Sequence, residues 1–275
     1  MKFVDLHLHS FFSDGTCSPQ ELVLQAKEAG VSAISVVDHD TVSAVSLVAD
    51  EANKYDIEVV PGIELSADYN GSEVHILGYL IDHQAKDFLD ELELLKKSRI
   101  KRIYMMLDKL NTLGVNLSPD SVFAVAGSGT ISRLHIARAM LNEGFITSIQ
   151  EAFQKYIGDK GPAYVSSFRL GPKEAIGLIK RVGGLAVIAH PYILASDKPI
   201  LEFIEFGLDG IEIFYPEHSQ SMIKHYLKLA EEYNLLATGG SDFHGSAKPE
   251  VKIGCVKIPY HIVQDMRDYK KEQGV

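Results

Sequence analysis

The chain opens on Asp5-Leu6-His7-Leu8-His9-Ser10, two histidines spaced two apart at the end of a short apolar run, with Asp14 in the turn that follows. Side chains two apart on a β-strand share a face, so His7 and His9 project together, as two imidazoles sharing one metal require. One such pair says little, but the design recurs. The apolar run 33–37 ends in Asp38-His39-Asp40, the run 57–63 ends at Glu64, and His75 lies inside the run 74–79. Residues 185–189 end in His190-Pro191, and 235–238, after two glycines, end in Ser241-Asp242-Phe243-His244. His7, His9, Asp14, His39, Glu64, His75, His190, Asp242 and His244 are therefore candidate metal ligands. Nine are too many for one tetrahedral metal and suit two or three with open positions. Imidazoles and carboxylates without a thiolate favour manganese, iron or zinc over magnesium or calcium. Such a site serves phosphoester hydrolysis: metals lower the pKa of a bridging water to make hydroxide and hold the phosphoryl oxygens. Asp38 and Asp40 flank His39 and are expected to fix imidazole tautomers rather than to ligate.

The elements that must position these groups alternate from the start. Ser18-Pro19-Gln20-Glu21 is a capping box opening a helix that ends at Gly30, and Thr41 is placed to cap the next, through about Lys54. Strand, helix, strand, helix implies parallel strands with right-handed crossovers and functional groups at their carboxyl ends. The alternation stops after Ile81. A long helical stretch covers 84–113, shorter helices follow Ser118-Pro119, Ser132 and Thr147, and only 163–165 reads as a short strand before Leu185. We therefore expect a helical insertion at 97–167 and a barrel formed by 1–96 and 168–275. Past it the alternation resumes: helix 172–182, strand from 185, helix near Pro199, strand 210–214, helix 219–233, strand from 235, a short strand at 255–258 and a C-terminal helix.

The insertion carries its own candidate. Gly127-Ser128-Gly129-Thr130-Ile131-Ser132 precedes a helix whose first turn holds Arg133. Helix N-termini attract phosphate, and arginine can grip it bidentately.

With 275 residues, 46% hydrophobic, the chain can bury a large α/β core. Its formal net charge of −10 argues against long duplex nucleic acid as a partner. Cys17 and Cys255 make neither a disulfide framework nor a zinc motif and read as free thiols of a reducing cytosol. No apolar run has the length of a membrane span, so a soluble cytoplasmic protein is expected, with its oligomeric state left open.

The motif set of HxHS with Asp14, DHDT (38–41), GIE (62–64), the His75 strand, AHP (189–191) and SDFH (241–244) resembles the PHP (polymerase and histidinol phosphatase) superfamily over the whole chain. The resemblance is to its stand-alone bacterial phosphoesterases, which act on nucleoside 3′,5′-bisphosphates or remove nucleotides 5′→3′ from short RNA. It implies a distorted (β/α)7 barrel with an inserted small helical domain and a trinuclear site, with manganese the first expectation and iron or zinc the alternatives. Carried over by motif, one metal takes His7, His9, Glu64 and Asp242, a second takes Glu64, His75 and His190, and a third takes Asp14, His39 and His244. Glu64, Asp14, His39 and His244 are the residues expected to matter most for catalysis. The resemblance also implies nucleotide contacts from Arg133, His135 and Arg138 and from Lys160, although Gly161 intervenes before the proline that usually follows this lysine. Rival readings are a histidinol-phosphate phosphatase, an amidohydrolase-type deaminase, which also starts from HxH, and a non-catalytic metal domain.

Overall fold

A computed structural model describes residues 2–127, 129–166, 170–194 and 196–274. Ser128 and Ser167, which fall in the expected phosphate loop and at the expected end of the insertion, lie outside the described residues.

The apolar start of the chain forms β1 (Phe3–Leu8). Helix α1 (Pro19–Glu28) begins at the expected capping box, Ser18 Oγ accepting from the Glu21 N–H and the Glu21 carboxylate accepting from the Ser18 N–H. Next come β2 (Val31–Val36) and α2 (Val45–Ala52). Thr41 does not cap α2; its Oγ1 bonds Ser43 Oγ (3.0 Å), and the helix starts at Val45 without a side-chain cap. β3 (Glu58–Val59), β4 (Gly62–Tyr69) and β5 (Ser72–Tyr79) follow. Asn70 and Gly71 both take positive φ, 55° and 82°, in a two-residue turn that folds β5 back antiparallel on β4. A hairpin thus stands where the alternation would have put a crossover.

The helical stretch comprises α3 (Lys86–Thr112), α4 (Pro119–Ala126), α5 (Arg133–Asn142) and α6 (Ile149–Ala152). Residues 163–165 do not form the expected strand: their backbone bonds to the π-helical segment Phe153–Ile157 and to side chains, Ala163 N–H to the Tyr156 carbonyl and the Val165 carbonyl to Arg102 Nε. The remainder is α7 (Pro172–Arg181), β6 (Leu185–Ile188), α8 (Lys198–Glu205), β7 (Gly210–Phe214), α9 (Gln220–Glu232), β8 (Leu236–Gly239), β9 (Ile258–Pro259) and α10 (His261–Glu272).

The strands make two sheets of order β3-β2-β1-β9 and β4-β5-β6-β7-β8. β1, β2 and β3 run parallel, as do β6, β7 and β8, whereas β5 is antiparallel to both its neighbours and β9 is antiparallel to β1. The result is a mixed α/β fold, and among the described residues no continuous hydrogen-bonded barrel closes. The sheets meet at two isolated parallel bridges, Leu8 with Phe243 and His39 with Glu64. Both seams fall at the strand ends that carry the candidate ligands.

Helix α3 is shared between two apolar cores. Its Phe88, Leu92 and Leu95 pack on strand residues such as Ile63, Ile76 and Ile211. Its Ile103, Met106, Leu107 and Leu110 pack instead with Val122, Ile136, Met140 and Ile157 of the helical stretch. Between the two stand Arg99 and Arg102, only 7% and 4% exposed. Among the described residues no helix is long and apolar enough to cross a membrane.

Candidate metal centre

Strand direction decides which side chains meet. β1, β2, β4, β6 and β8 deliver His7 and His9, His39, Glu64, His190 and Asp242 to one edge of the sheets. His75 reaches the same edge from the first half of β5, opposite Ser66 of β4, because β5 runs the other way. Close approach is built in by glycine: a Cβ on Gly240 would lie 2.2 Å from His7 Cβ, so only glycine lets the Asp242 loop cross β1. Asp40, His190 and Asp242 hold positive φ of 51°, 28° and 54°, an unfavourable conformation for these residues and one that gathers at functional sites.

His7 Nε2 lies 3.1 Å from His9 Nε2, 3.4 Å from Glu64 Oε2 and 3.3 Å from Asp242 Oδ1, and His9 Nε2 lies 3.2 and 3.3 Å from the same two oxygens. Donors ~2.0–2.2 Å from one tetrahedral cation are spaced by roughly 3.3–3.6 Å, so this quartet fits a metal. Glu64 Oε1 faces a different set, His75 Nδ1 at 3.0 Å and His190 Nε2 at 3.2 Å, which are themselves 3.2 Å apart. The third group is looser: Asp14 is 3.3 Å from His244 Nε2 and 3.7 Å from His39 Nε2. His39 Nδ1 also comes within 3.2 Å of Glu64 Oε2, so His39 stands between groups. The structure thus brings together all nine candidates.

The outward nitrogens of three imidazoles are held by partners that sequence reading did not identify. Glu212 Oε1 lies 2.7 Å from His7 Nδ1, and its Oε2 accepts from the His190 N–H (2.7 Å). Glu73 Oε1 lies 3.1 Å from His75 Nε2, and the Asp242 carbonyl lies 2.8 Å from His244 Nδ1. In a neutral imidazole each contact favours the tautomer with its proton on the outward nitrogen, which leaves the other lone pair for the site. Asp38 and Asp40 do not play this part directly. Asp38 accepts from the Ser10 N–H, Ser10 Oγ and Ser13 Oγ and reaches His9 only through Ser13 Oγ, 3.4 Å from Nδ1. Asp40 accepts from the Ser66 N–H and from Arg99. Glu212 did leave a trace, as one charge inside the apolar strand Ile211-Glu212-Ile213. Glu73 left another, two residues before His75 and so on its face of the strand.

Burial opposes charge throughout this site, yet the carboxylates stay ionised. Glu64 is held well below the ordinary glutamate range because His39, His75 and His7 outweigh its burial. Asp14 and Asp242 are likewise depressed despite burial, by His39 and His244 for the one and by Lys248 and His244 for the other. Burial would lower the imidazoles, but Glu64 and Glu73 raise His75 to about 10, and Asp242 and Glu64 raise His9 to about 9. At His39 and His244 burial prevails and the pKa is lowered. Carboxylates that draw protons onto neighbouring imidazoles are calling for positive charge, which divalent cations would supply in the protons' place.

Over the cluster opens a cavity of about 770 Å³. Arg133 lines it, with Nη1 2.6 Å from Asp159 Oδ1 and Nη2 3.5 Å from Glu73 Oε2. Arg99 and Lys248 line it too, Lys248 Nζ lying 2.5 Å from Asp242 Oδ2, which also accepts from the Tyr215 hydroxyl (2.8 Å). Lys160 is exposed and is not among the lining residues, because the tight Gly158–Gly161 turn (2.6 Å) leaves it outside. His135 and Arg138 line a separate cavity behind the Asp14 loop. Helix geometry explains the split, since successive residues rotate by ~100° and His135 lies on the far side from Arg133. The start of α5 is already in use. Ser132 Oγ accepts from the Leu134 N–H and donates to Asp14 Oδ2 (2.9 Å), while His135 Nδ1 accepts from the Ser132 N–H (2.9 Å). Gly129 packs so closely on the Asp14 loop that a Cβ would lie 2.4 Å from the Phe11 carbonyl oxygen. The described part of this loop therefore braces Asp14.

The remaining histidines stand apart. His218 Nδ1 bonds the Ile213 carbonyl (2.8 Å), exposed His225 pairs with Asp197 (2.8 Å), His83 meets Ser46 (3.1 Å), and His261 is exposed near Asp265.

Fold and site together define a metal-dependent phosphoesterase, and known proteins give the same class. A PHP domain matches residues 5–157, and the chain belongs to that family. It is 33% identical to a 5′-3′ exoribonuclease of Haemophilus influenzae, over 88% of this chain and 90% of that one. It is 30% identical to a 3′,5′-nucleoside bisphosphate phosphatase of Chromobacterium violaceum, over 92% of this chain and 91% of the other. A solved structure from Bifidobacterium adolescentis, described as a candidate metal-dependent phosphoesterase, superposes with a TM-score of 0.87 at 28% identity, over 96% of this chain and 95% of its own.

Proposed function

We propose that this phosphoesterase acts on nucleotide phosphate esters, either nucleoside 3′,5′-bisphosphates or the 5′ ends of short oligoribonucleotides. The observation that carries the reading is Arg133, a braced guanidinium in the same cavity as the carboxylate–imidazole cluster. A substrate with two phosphates meets one cation for the phosphate it keeps and the cluster for the one it loses. The names of the relatives support the same substrate class.

The donor sets support two to three divalent ions, with manganese the first choice for imidazoles and carboxylates without thiolate, and iron or zinc the alternatives. His7, His9, Glu64 and Asp242 would hold one, Glu64, His75 and His190 a second, and Asp14, His39 and His244 a third. When bound, such ions acidify water and neutralise charge developing on phosphoryl oxygens. The chain's own part is positional. Glu212 and Glu73 orient His7 and His75, Tyr215 and Lys248 hold the outer oxygen of Asp242, and Ser132 holds Asp14. We read the two sheets as arcs of one distorted (β/α)7 barrel, which the paired seams support, and residues 97–167 as its insertion, which the change of core along α3 supports.

The test is phosphate and nucleotide release by the manganese-loaded protein from mononucleotides, nucleoside bisphosphates, short RNA and histidinol phosphate. Nucleoside bisphosphates or short RNA should be turned over fastest. Efficient turnover of histidinol phosphate with the nucleotides inert would overturn the reading.

A further inference from the structure

The mouth of the main cavity differs chemically from its floor. Tyr192 and Ile193 line the cavity yet remain 38% and 48% exposed, although both are large and apolar. The Tyr192 ring stacks on Tyr215, with centroids 5.5 Å apart and planes at 28°. Tyr215 is fixed from below, its hydroxyl donating to Asp242 Oδ2 (2.8 Å) and its ring packing on His218 and His190 at 5.3 and 5.7 Å. Tyr192 therefore stands on a braced column that ends at two of the nine clustered groups. Its position along the chain is also set, because the short turn Pro191–Ile193 follows His190 directly. The helical stretch adds apolar Ile149 and Phe153 to the lining. A substrate consisting only of sugar and phosphate would leave these apolar surfaces wet, whereas a planar aromatic group would cover them.

We propose that Tyr192, backed by Tyr215, is the stacking platform for the base of the nucleotide substrate. The inference rests on the nucleotide reading above and sharpens it. Stacking on a ring accepts every base, because each has a π-face, so the enzyme tolerates all bases and holds purines more tightly than pyrimidines. Specificity then resides in the distance between base and scissile phosphate, set by the Pro191–Ile193 turn, and not in hydrogen bonds to base edges.

The chain has no tryptophan, so a fluorescent base analogue can be followed without background from the protein. 2-Aminopurine riboside 3′,5′-bisphosphate is mixed rapidly with the manganese-loaded protein, and stacking is read as quenching. The wild type should quench the probe. Tyr192→Ala should lose most of the quenching and bind about tenfold more weakly, while Tyr192→Phe keeps both. Tyr192→Ala should also raise KM for nucleoside bisphosphates by a similar factor with little change in kcat, and leave ribose 3,5-bisphosphate, which has no base, unaffected. Unchanged quenching and affinity in Tyr192→Ala, or equal losses on the substrates with and without a base, would overturn the platform. Probe binding without quenching by the wild type would sink the platform alone. Failure of the wild type to bind the probe while it hydrolyses other phosphate esters would sink the nucleotide reading itself.

Discussion

In the sheets, buried carboxylates and imidazoles crowd together and Lys248 answers only the outer oxygen of Asp242, whereas in the helical stretch Arg99, Arg102 and Arg133 each already have a carboxylate. Glu64 has His7, His9, His39, His75 and His190 within 3.4 Å, and Asp14 and Asp242 close the same cluster. Arg99 pairs with Asp40 and donates to Ser66 Oγ (2.6 Å), Arg102 Nη2 lies 2.6 Å from Glu73, and Arg133 pairs with Asp159. The first arrangement is unsatisfied alone and is made good by cations. In the second, Arg99 and Arg102 pin α3 to Asp40, Ser66 and Glu73, since breaking one partner of a buried pair costs several kcal/mol, while Arg133, braced by Asp159, still faces the cavity. In the proposed reading, metal binding and substrate placement are thereby separated in space. Glu73 joins them, one oxygen on His75 and the other beside Arg102 and Arg133.

The largest effect should come from the sheets. Glu64→Ala removes a carboxylate whose two oxygens face separate donor sets, so metal content measured on purified protein should fall and turnover should drop by on the order of 10³-fold, the several kcal/mol that metal ions contribute. Full metal content with near-normal turnover would end the idea that Glu64 is shared. Next comes the helical stretch: Arg133→Ala should cost about 2–3 kcal/mol in kcat/KM on a nucleoside bisphosphate and far less on p-nitrophenyl phosphate. Equal losses on both would make Arg133 a structural residue and erase the division of labour. Glu212→Gln keeps the shape beside His7 but loses the charge. Metal affinity by calorimetry should weaken by about ten- to a hundredfold, and unchanged affinity would reduce Glu212 to packing.

The smallest effect probes the helical stretch through pH. Burial holds His135 neutral, its pKa lowered from 6.5 to about 4. Below pH 6.5 the unfolded chain takes up a proton that the folded chain refuses, so this stability is present above pH 6.5 and is lost as pH falls toward 4. His135→Gln keeps a capping-box residue at that position and removes the titration. Its Tm should therefore fall less on acidification, by an amount equivalent to about 1–2 kcal/mol near pH 5–6. Parallel Tm–pH curves for the two proteins would show that His135 does not carry this dependence.

All nine clustered donors were legible in the amino-acid sequence, as was the order of nearly every helix and strand, because two-residue and 3.6-residue periodicity, capping boxes and turn residues act between near neighbours. Even the hairpin that reverses β5 carried its signal in Asn70-Gly71, though the strand–helix alternation around it pointed elsewhere. Tertiary structure alone decided the rest. Which oxygen of Glu64 faces which histidines depends on two sheets meeting at isolated bridges, and Glu212 reaches His7 across 205 positions. The same helix sends Arg133 into the main cavity and His135 and Arg138 into another, a choice made by how α5 docks. Long-range contacts of this kind follow from packing and crossing geometry, which no local pattern encodes.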